Sequence, residues 1–412
     1  MSERPESAGK GEVFDPGSIR RPFAILNRDL AWLDNAATTQ RPEPVLKAMD
    51  QFYRLHNANT RRSVHRLGAE ATAAYEGARA AVAAFIGAKS PAEIVFTGGT
   101  TASINLAVAG FARWEIGPGD EVWVSAMEHH SNWVPWQEAV KGVGASLKVI
   151  PLTSDGRLDL AAFRKGLSAH RAKWVAATWV SNVLGAANDV RAICAAAHAA
   201  GARVLVDGAQ GVAHLPADVA AMDCDFFAFS GHKMYGPMGI GALWGRGELL
   251  EQMHPSIFGG EMIARVDEQT STWAEVPYRF EGGTPHVAGA VGLAAAIEWV
   301  RALPPAAHEH VANLAREAAE RLAALKDVRV WGPAEGRVSL VSFSVKGVHA
   351  HDVAQVLDSR GIAVRAGHMC AQPLMRRLGI ESAVRASFAP YNTTDEIRRL
   401  LEGVRAAQEL FT

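Results

Sequence analysis

Cysteine is scarce in this 412-residue chain: Cys194, Cys224 and Cys370 are the only three, far apart and without the paired spacing of a metal site. Neither a disulfide framework nor a zinc knuckle is predicted, and each thiol must be weighed alone. Charge of one sign is lacking as well. The 42 Lys and Arg residues nearly balance 43 Asp and Glu, so no long-range field would draw the chain to nucleic acid or to an anionic membrane. No run of about 18 uncharged apolar residues occurs, which argues against a membrane-spanning helix. Met1 to Arg20 mixes Glu, Lys, Arg, Pro and Gly around no apolar core. It is predicted to be a mobile arm rather than a signal peptide, and the protein to be soluble and cytoplasmic. Internal repeats and low-complexity tracts are missing too. Cys194 to Ala202 is Ala-rich only because its spacing is that of a helix.

What remains is an ordinary globular composition, about half hydrophobic and a fifth charged, on a chain too long for one core, since single cores stop growing at roughly 250 to 300 residues. Short apolar runs recur with helical stretches between them: Glu93–Thr97, Glu121–Val124, Leu147–Ile150, Trp174–Val180, Arg203–Val206, Asp225–Phe229 and Gly239–Trp244. Near-continuous hydrophobicity is what strands covered on both faces by helices need, so a mostly parallel α/β sheet is predicted. Val64 to Ala88 reads as one of the helices: Val64, Leu67, Ala71, Tyr75, Ala78, Val82 and Phe85 recur every three or four residues, and Gly87 is a stop signal. Beyond about Thr284 the pattern changes to longer helices, Ala306–Leu325, Ala350–Arg360 and Thr394–Leu410, around strands such as Val338–Val345 and Ile362–Arg365. The predicted organisation is an arm at 1–25, a large domain at 26–288 and a smaller α+β domain at 289–412.

Ligands of open α/β sheets bind beyond the carboxyl ends of the strands, so the residues just after each apolar run carry the chemistry. Asp207 ends one strand and Gln210 follows a turn later. An acid there can pair with a buried cation, although an Asp in this place is equally often a helix cap or turn residue. Lys233 follows the apolar strand Phe226–Phe229 among small residues, where desolvation would lower its pKa and suit it to a Schiff base. Most lysines are solvated surface groups; this one is not placed like them. Gly98-Gly-Thr100-Thr101 opens a helix directly after a strand, and its amides and hydroxyls could cradle a phosphate. The P-loop pattern is absent there, which argues against a nucleoside triphosphate. His129 and His130 follow another strand without metal-ligand spacing, so a stacking or acid/base imidazole is predicted. Together these ends offer an anion site, an aldehyde-reactive amine, an acid for a ring nitrogen and an imidazole, the set that pyridoxal 5'-phosphate needs.

From about Trp32 to Phe411 the chain resembles the type I pyridoxal-phosphate fold and, within class V, the group II cysteine desulfurase and selenocysteine lyase family. The resemblance rests on Leu33-Asp-Asn-Ala-Ala-Thr38, Glu128-His-His-Ser-Asn-Trp-Val-Pro-Trp136, Val180-Ser-Asn-Val-Leu-Gly185, Asp207-Gly-Ala-Gln210, Ser230-Gly-His-Lys233, Gly282-Gly-Thr-Pro285, Arg365 to Met375 and Arg385-Ala-Ser387. It implies a seven-stranded sheet between helices, with a small C-terminal domain carrying the Cys370 loop. It implies Lys233 as the Schiff-base lysine, Asp207 on the ring nitrogen, Gln210 near the phenolic oxygen and His129 stacked on the ring. Thr100, Thr101, Ser230 and His232 would hold the phosphate, with Thr284 reaching across from the partner of a homodimer. Asn182 would serve both cofactor and substrate, and Arg365 and Arg385 the substrate carboxylate.

Cys194, on an Ala-rich helix, and Cys224, before a strand, read as inert small hydrophobes. Cys370 lies among Arg365, Gly367 and His368, an electropositive setting that favours a nucleophilic thiolate. The resemblance therefore implies conversion of L-cysteine to L-alanine, with Cys370 carrying the sulfur as a persulfide to an acceptor protein for iron–sulfur or other sulfur metabolism. Its alternative is a selenocysteine lyase, or another class V lyase or transaminase that does not need Cys370. Several family residues are changed. Trp179 and Met369 stand where histidines are usual, which predicts altered proton transfer. Arg61 and Ser63 replace a His and a Gly, adding charge near the expected substrate entrance, for an acidic substrate or only as a surface contact. Gly98 and Ala102 replace an Arg and a Glu, the joint loss expected when an ion pair is removed without orphaning either member.

Overall fold

The computed structural model describes residues 14–61, 63–167 and 171–411; residues 1–13 of the expected arm lie outside the described residues. All seven apolar runs form strands, and the seven make one sheet: β1 (Ile94–Thr97), β2 (Glu121–Ser125), β3 (Ser146–Ile150), β4 (Ala172–Thr178), β5 (Arg203–Asp207), β6 (Phe226–Ser230) and β7 (Gly241–Gly245). Their spatial order is β1-β7-β6-β5-β4-β2-β3. Neighbours run parallel except at β7, which is antiparallel to both β1 and β6. The link between β6 and β7, residues 231–240, is shorter than the roughly dozen residues a parallel crossover needs, so β7 must turn back. Every residue of β2, β6 and β7 is buried, which is why the runs read as apolar without alternation.

The helix expected over 64–88 is α1 (Arg66–Phe85), with Ala71, Tyr75, Ala78 and Val82 on its buried face. It begins later than its apolar stripe suggested. His65 caps it, its ring Nδ1 accepting the Gly68 N–H at 3.1 Å, and this leaves Val64 and Leu67 exposed. Gly87 ends it as expected: at φ +70° it lets the Ala88 N–H reach back to the Ala83 carbonyl, the glycine stop that closes many helices. The helix α2 (Thr100–Ala107) starts beside the end of β1, and α3 (Val287–Arg301) packs along α1.

The C-terminal part builds a second antiparallel sheet, β8 (Val328–Trp331), β9 (Leu340–Val345), β10 (Arg365–Gly367) and β11 (Ala383–Ser387), in the order β8-β9-β11-β10. The helices α4 (Pro305–Ala323), α5 (Ala350–Asp358) and α6 (Thr394–Phe411) cover it. The strand expected over 362–365 is interrupted: Ile362–Ala363 pairs with Ala31–Trp32, while β10 pairs with β11. Ala31 and Leu33 thus enter the core of this sheet with Leu314, Phe343 and Leu400. Arg20 joins the same end of the molecule through Glu396 at 3.0 Å. Among the described residues no single helix is long and apolar enough to cross a membrane.

Candidate active site

The carboxyl ends of the large sheet, the start of α2 and segments of the small domain enclose a cavity of about 320 Å³. Every site residue expected from the sequence lines it except Thr284, which is exposed elsewhere on the surface. At one end the Ser230 hydroxyl accepts the Thr100 N–H at 2.8 Å and lies 2.7 Å from the Thr100 hydroxyl. Thr101 Oγ1 lies 2.7 Å from Ser131 Oγ. Gly99 between β1 and α2 has φ +135°, and a Cβ there would stand 3.0 Å from Ser230 Oγ, so only glycine suits this turn. His232 turns its backbone carbonyl to the Thr39 N–H and leaves its ring Nδ1 buried without a partner among the described residues. Burial first, then Lys233 and Arg41, push its pKa down to about 4.

Asp207 ends β5, where its Oδ1 accepts the Ala209 N–H at 2.9 Å, so the turn role and the site role coexist. Burial raises its pKa, against the pull of Lys233. Lys233 closes the short turn Gly231–Lys233 after β6. Burial lowers the pKa of its amine, against the pull of Asp207. Gln210 donates to the Ala36 carbonyl at 2.7 Å. His129 follows β2 and is held neutral: burial, Lys233, His130 and Arg385 bring its pKa to about 3. Its Nδ1 accepts the Ser131 N–H at 3.1 Å, which assigns the ring proton to Nε2.

The small domain supplies the other wall. Arg385, on β11 and 3 % exposed, donates to the Asn182 carbonyl at 2.9 Å and lies 3.4 Å from Asp34. Its Nε has no partner among the described residues. Burial lowers its pKa to about 10, so it remains a cation at neutral pH. Arg365 pairs with the same Asp34 at 2.5 Å. Asn182 donates to the Met369 carbonyl at 2.8 Å. Cys370 is exposed at the cavity wall. Sequence reasoning gave no role to Asp34 or Ser131. Asp34 lies in a quoted motif, but its arginine partners are 331 and 351 positions away, beyond the reach of any spacing rule.

The class-V aminotransferase pattern matches residues 31–400. The chain belongs to the class-V aminotransferase family. It is 48 % identical over 401 residues to a probable cysteine desulfurase of Halalkalibacterium halodurans, covering 95 % of this chain and 98 % of that one. It is 47 % identical to a cysteine desulfurase of Klebsiella pneumoniae, covering 97 % and 99 %. The crystal structure of the Escherichia coli cysteine desulfurase CsdA superposes with a TM-score of 0.91 at 41 % identity, over 97 % of this chain and all of that one. Class-V enzymes of this kind use pyridoxal phosphate, and the cavity of this class-V chain fits the group. The unpartnered His232 Nδ1 and the Thr100 and Ser230 hydroxyls suit its phosphate. Gly99 leaves room for the close approach, and Asp207 and Lys233 would supply the acid and the amine.

The residues that depart from the family pattern fall mostly outside the cavity. Trp179 is buried against Phe227, ring centroids 6.1 Å apart, and over Gly211, where a Cβ would meet it at 2.2 Å; it adds no titratable group to the cavity. Arg61 does not line this cavity. It folds against Tyr278 and pairs with Glu281 at 3.0 Å, because that buried carboxylate draws in the guanidinium. Met369 alone among these lines the cavity. Gly98 and Ala102 line a separate space of about 210 Å³ next to Glu281 and Ile257. Cys194 and Cys224 are both buried, and burial raises both thiols, Cys194 to about 12.

Proposed function

We propose that this chain is a cysteine desulfurase that takes L-cysteine, releases L-alanine and holds the sulfur on Cys370 for a thiol acceptor. One observation carries the reading: the desolvated amine of Lys233 and the exposed thiol of Cys370 open into the same cavity. Homologues named for this activity over nearly their full length support it. Arg385, buried and cationic with Arg365 beside it, binds the substrate carboxylate, and Asp34 keeps the two guanidiniums together. Lys233, with its lowered pKa, takes the proton from the substrate α-carbon. Asp207 anchors the cofactor's ring nitrogen, and neutral His129 covers its ring. Pyridoxal phosphate, when bound, supplies the electron sink for these steps. Cys370 Sγ then bonds the substrate sulfur while the substrate Cβ–S bond breaks, the bonding pair passing to carbon. A thiol acceptor protein, serving iron–sulfur or other sulfur metabolism, afterwards removes the sulfur.

The enzyme acts as a homodimer in this reading, Thr284 completing the phosphate end of the partner's cavity; its exposure away from its own cavity supports this. The test is to incubate purified protein with L-cysteine and measure alanine and sulfide. Wild type forms both, Cys370→Ser loses cysteine-dependent turnover, and Lys233→Ala loses the cofactor's visible absorption band. Undiminished alanine release by Cys370→Ser would refute the persulfide step and favour a lyase acting on selenocysteine or another amino acid.

A further inference from the structure

Met369 and Cys370 both lie in the left-handed backbone region, at φ 48° and 54°, although neither is glycine. Two such residues in succession persist only where surrounding contacts hold them. Asn182 holds one side through the Met369 carbonyl. The other side belongs to His130, a residue with no assigned part in the site. Its N–H donates to the Cys370 carbonyl at 2.6 Å. Its ring Nε2 accepts the Gln372 N–H at 3.1 Å, one of the donors that the first turn of helix Gln372–Leu378 cannot satisfy internally. The ring also lies 5.7 Å from that of His368 at an angle of 35°, and His368 Nδ1 accepts the Cys370 N–H at 3.1 Å. Both peptide groups of the thiol-bearing residue are thus tied down by this pair of histidines.

We propose that His130 is a positioning residue for sulfur transfer: its backbone and ring together hold the left-handed turn that presents the Cys370 thiol to the cavity. The inference rests on Cys370 being the sulfur carrier. His130 follows His129 directly in sequence, so the imidazole facing the cofactor and the clamp on the thiol loop share one short stretch of chain after β2. Removing the ring acceptor frees the Gln372 N–H and loosens the turn, while Asp207 and Arg385 keep their own partners. The loss therefore falls on the step that needs the thiol, not on cofactor or substrate binding.

The experiment compares the holoenzyme with His130→Phe, which keeps a ring without the acceptor, and His130→Gln, which restores an acceptor oxygen. Two substrates are used: L-cysteine, and L-cysteine sulfinate, whose sulfur departs as sulfur dioxide without a thiol nucleophile. For His130→Phe we expect kcat on L-cysteine to fall about tenfold, what one hydrogen bond at the transition state is worth. KM, the cofactor absorption band and turnover of the sulfinate stay within about twofold of wild type, and His130→Gln recovers most of the lost kcat. Wild-type kcat on L-cysteine in His130→Phe overturns the inference, as does an equal fall on both substrates, a lost cofactor band, or a Gln variant as slow as Phe. Failure of the functional reading is distinct: it shows in the wild type, as absent alanine formation, or in an undiminished Cys370→Ser.

Discussion

Replacing Gly241 by alanine tests whether the packing of the large sheet shapes the phosphate end of the cavity. Gly241 opens β7, paired with Thr97 on one side and Ser230 on the other. A Cβ there would lie 2.4 Å from the Phe229 carbonyl oxygen and 2.6 Å from Gly99 Cα, where ordinary contact begins at 3.4 Å. Both obstacles are main-chain atoms, so no side-chain rotation relieves them. The backbone must retreat by about 1 Å, and overpacking of this kind costs ~1–3 kcal/mol. Gly99 carries with it the Thr100 N–H, whose 2.8 Å bond to Ser230 Oγ would stretch beyond hydrogen-bonding range, a further ~1 kcal/mol. We expect a destabilisation of about 3 kcal/mol and a fall in pyridoxal-phosphate affinity of about tenfold, one hydrogen bond's worth. Urea unfolding of the cofactor-free protein measures the first, and absorbance titration with the cofactor the second. Gly98→Ala, where a Cβ meets nothing within 4 Å, is the control. A Gly241→Ala protein with wild-type midpoint and wild-type affinity would refute the argument.

Three further substitutions address other parts of the fold. His198 Nε2 lies 2.9 Å from Asp225, and that hydrogen bond raises the pKa of the imidazole above its ordinary value; its stabilisation is complete below the unfolded-state pKa and is lost as pH rises through the folded one. His198→Gln should therefore cost about 1 kcal/mol near pH 5 and little near pH 9, measured by urea unfolding at both; equal costs would contradict it. Arg79, 1 % exposed, and Arg61 share the Glu281 carboxylate, so Arg79→Leu should cost about 3–5 kcal/mol by weakening the pairing of a buried charge. Arg61→Ala should cost under about 1 kcal/mol, because Arg79 remains, and should leave KM for L-cysteine unchanged; a raised KM would return Arg61 to the substrate entrance.

Much of the fold was legible because its signals are local. The seven strands were visible as apolar runs since both faces of the sheet are covered, and the end of α1 was visible in Gly87, since a left-handed stop needs glycine. The start of α1 was not. The cap comes from the His65 ring, and an amphipathic stripe running on through Val64 and Leu67 cannot report which of its members the folded chain leaves in water. Lys233, Asp207 and Thr100 were found by position, each just past a strand, where the topology places ligands whatever they are. The expectation of a mostly parallel sheet did not include the reversal of β7, which the short link after β6 imposes.

The chain's own sequence was enough to establish an α/β architecture, a pyridoxal-phosphate set at the strand ends and a suspicious thiol at Cys370. Those features depend on residue type and near-neighbour spacing. Only the tertiary structure decided which distant groups meet. It set Asp34 between Arg365 and Arg385, turned Arg61 inward to Glu281, and fastened the left-handed Cys370 turn to His130. Each of these contacts joins segments far apart in sequence. Burial then raises the energetic stake of every pairing it leaves in low dielectric, which no composition or periodicity reports.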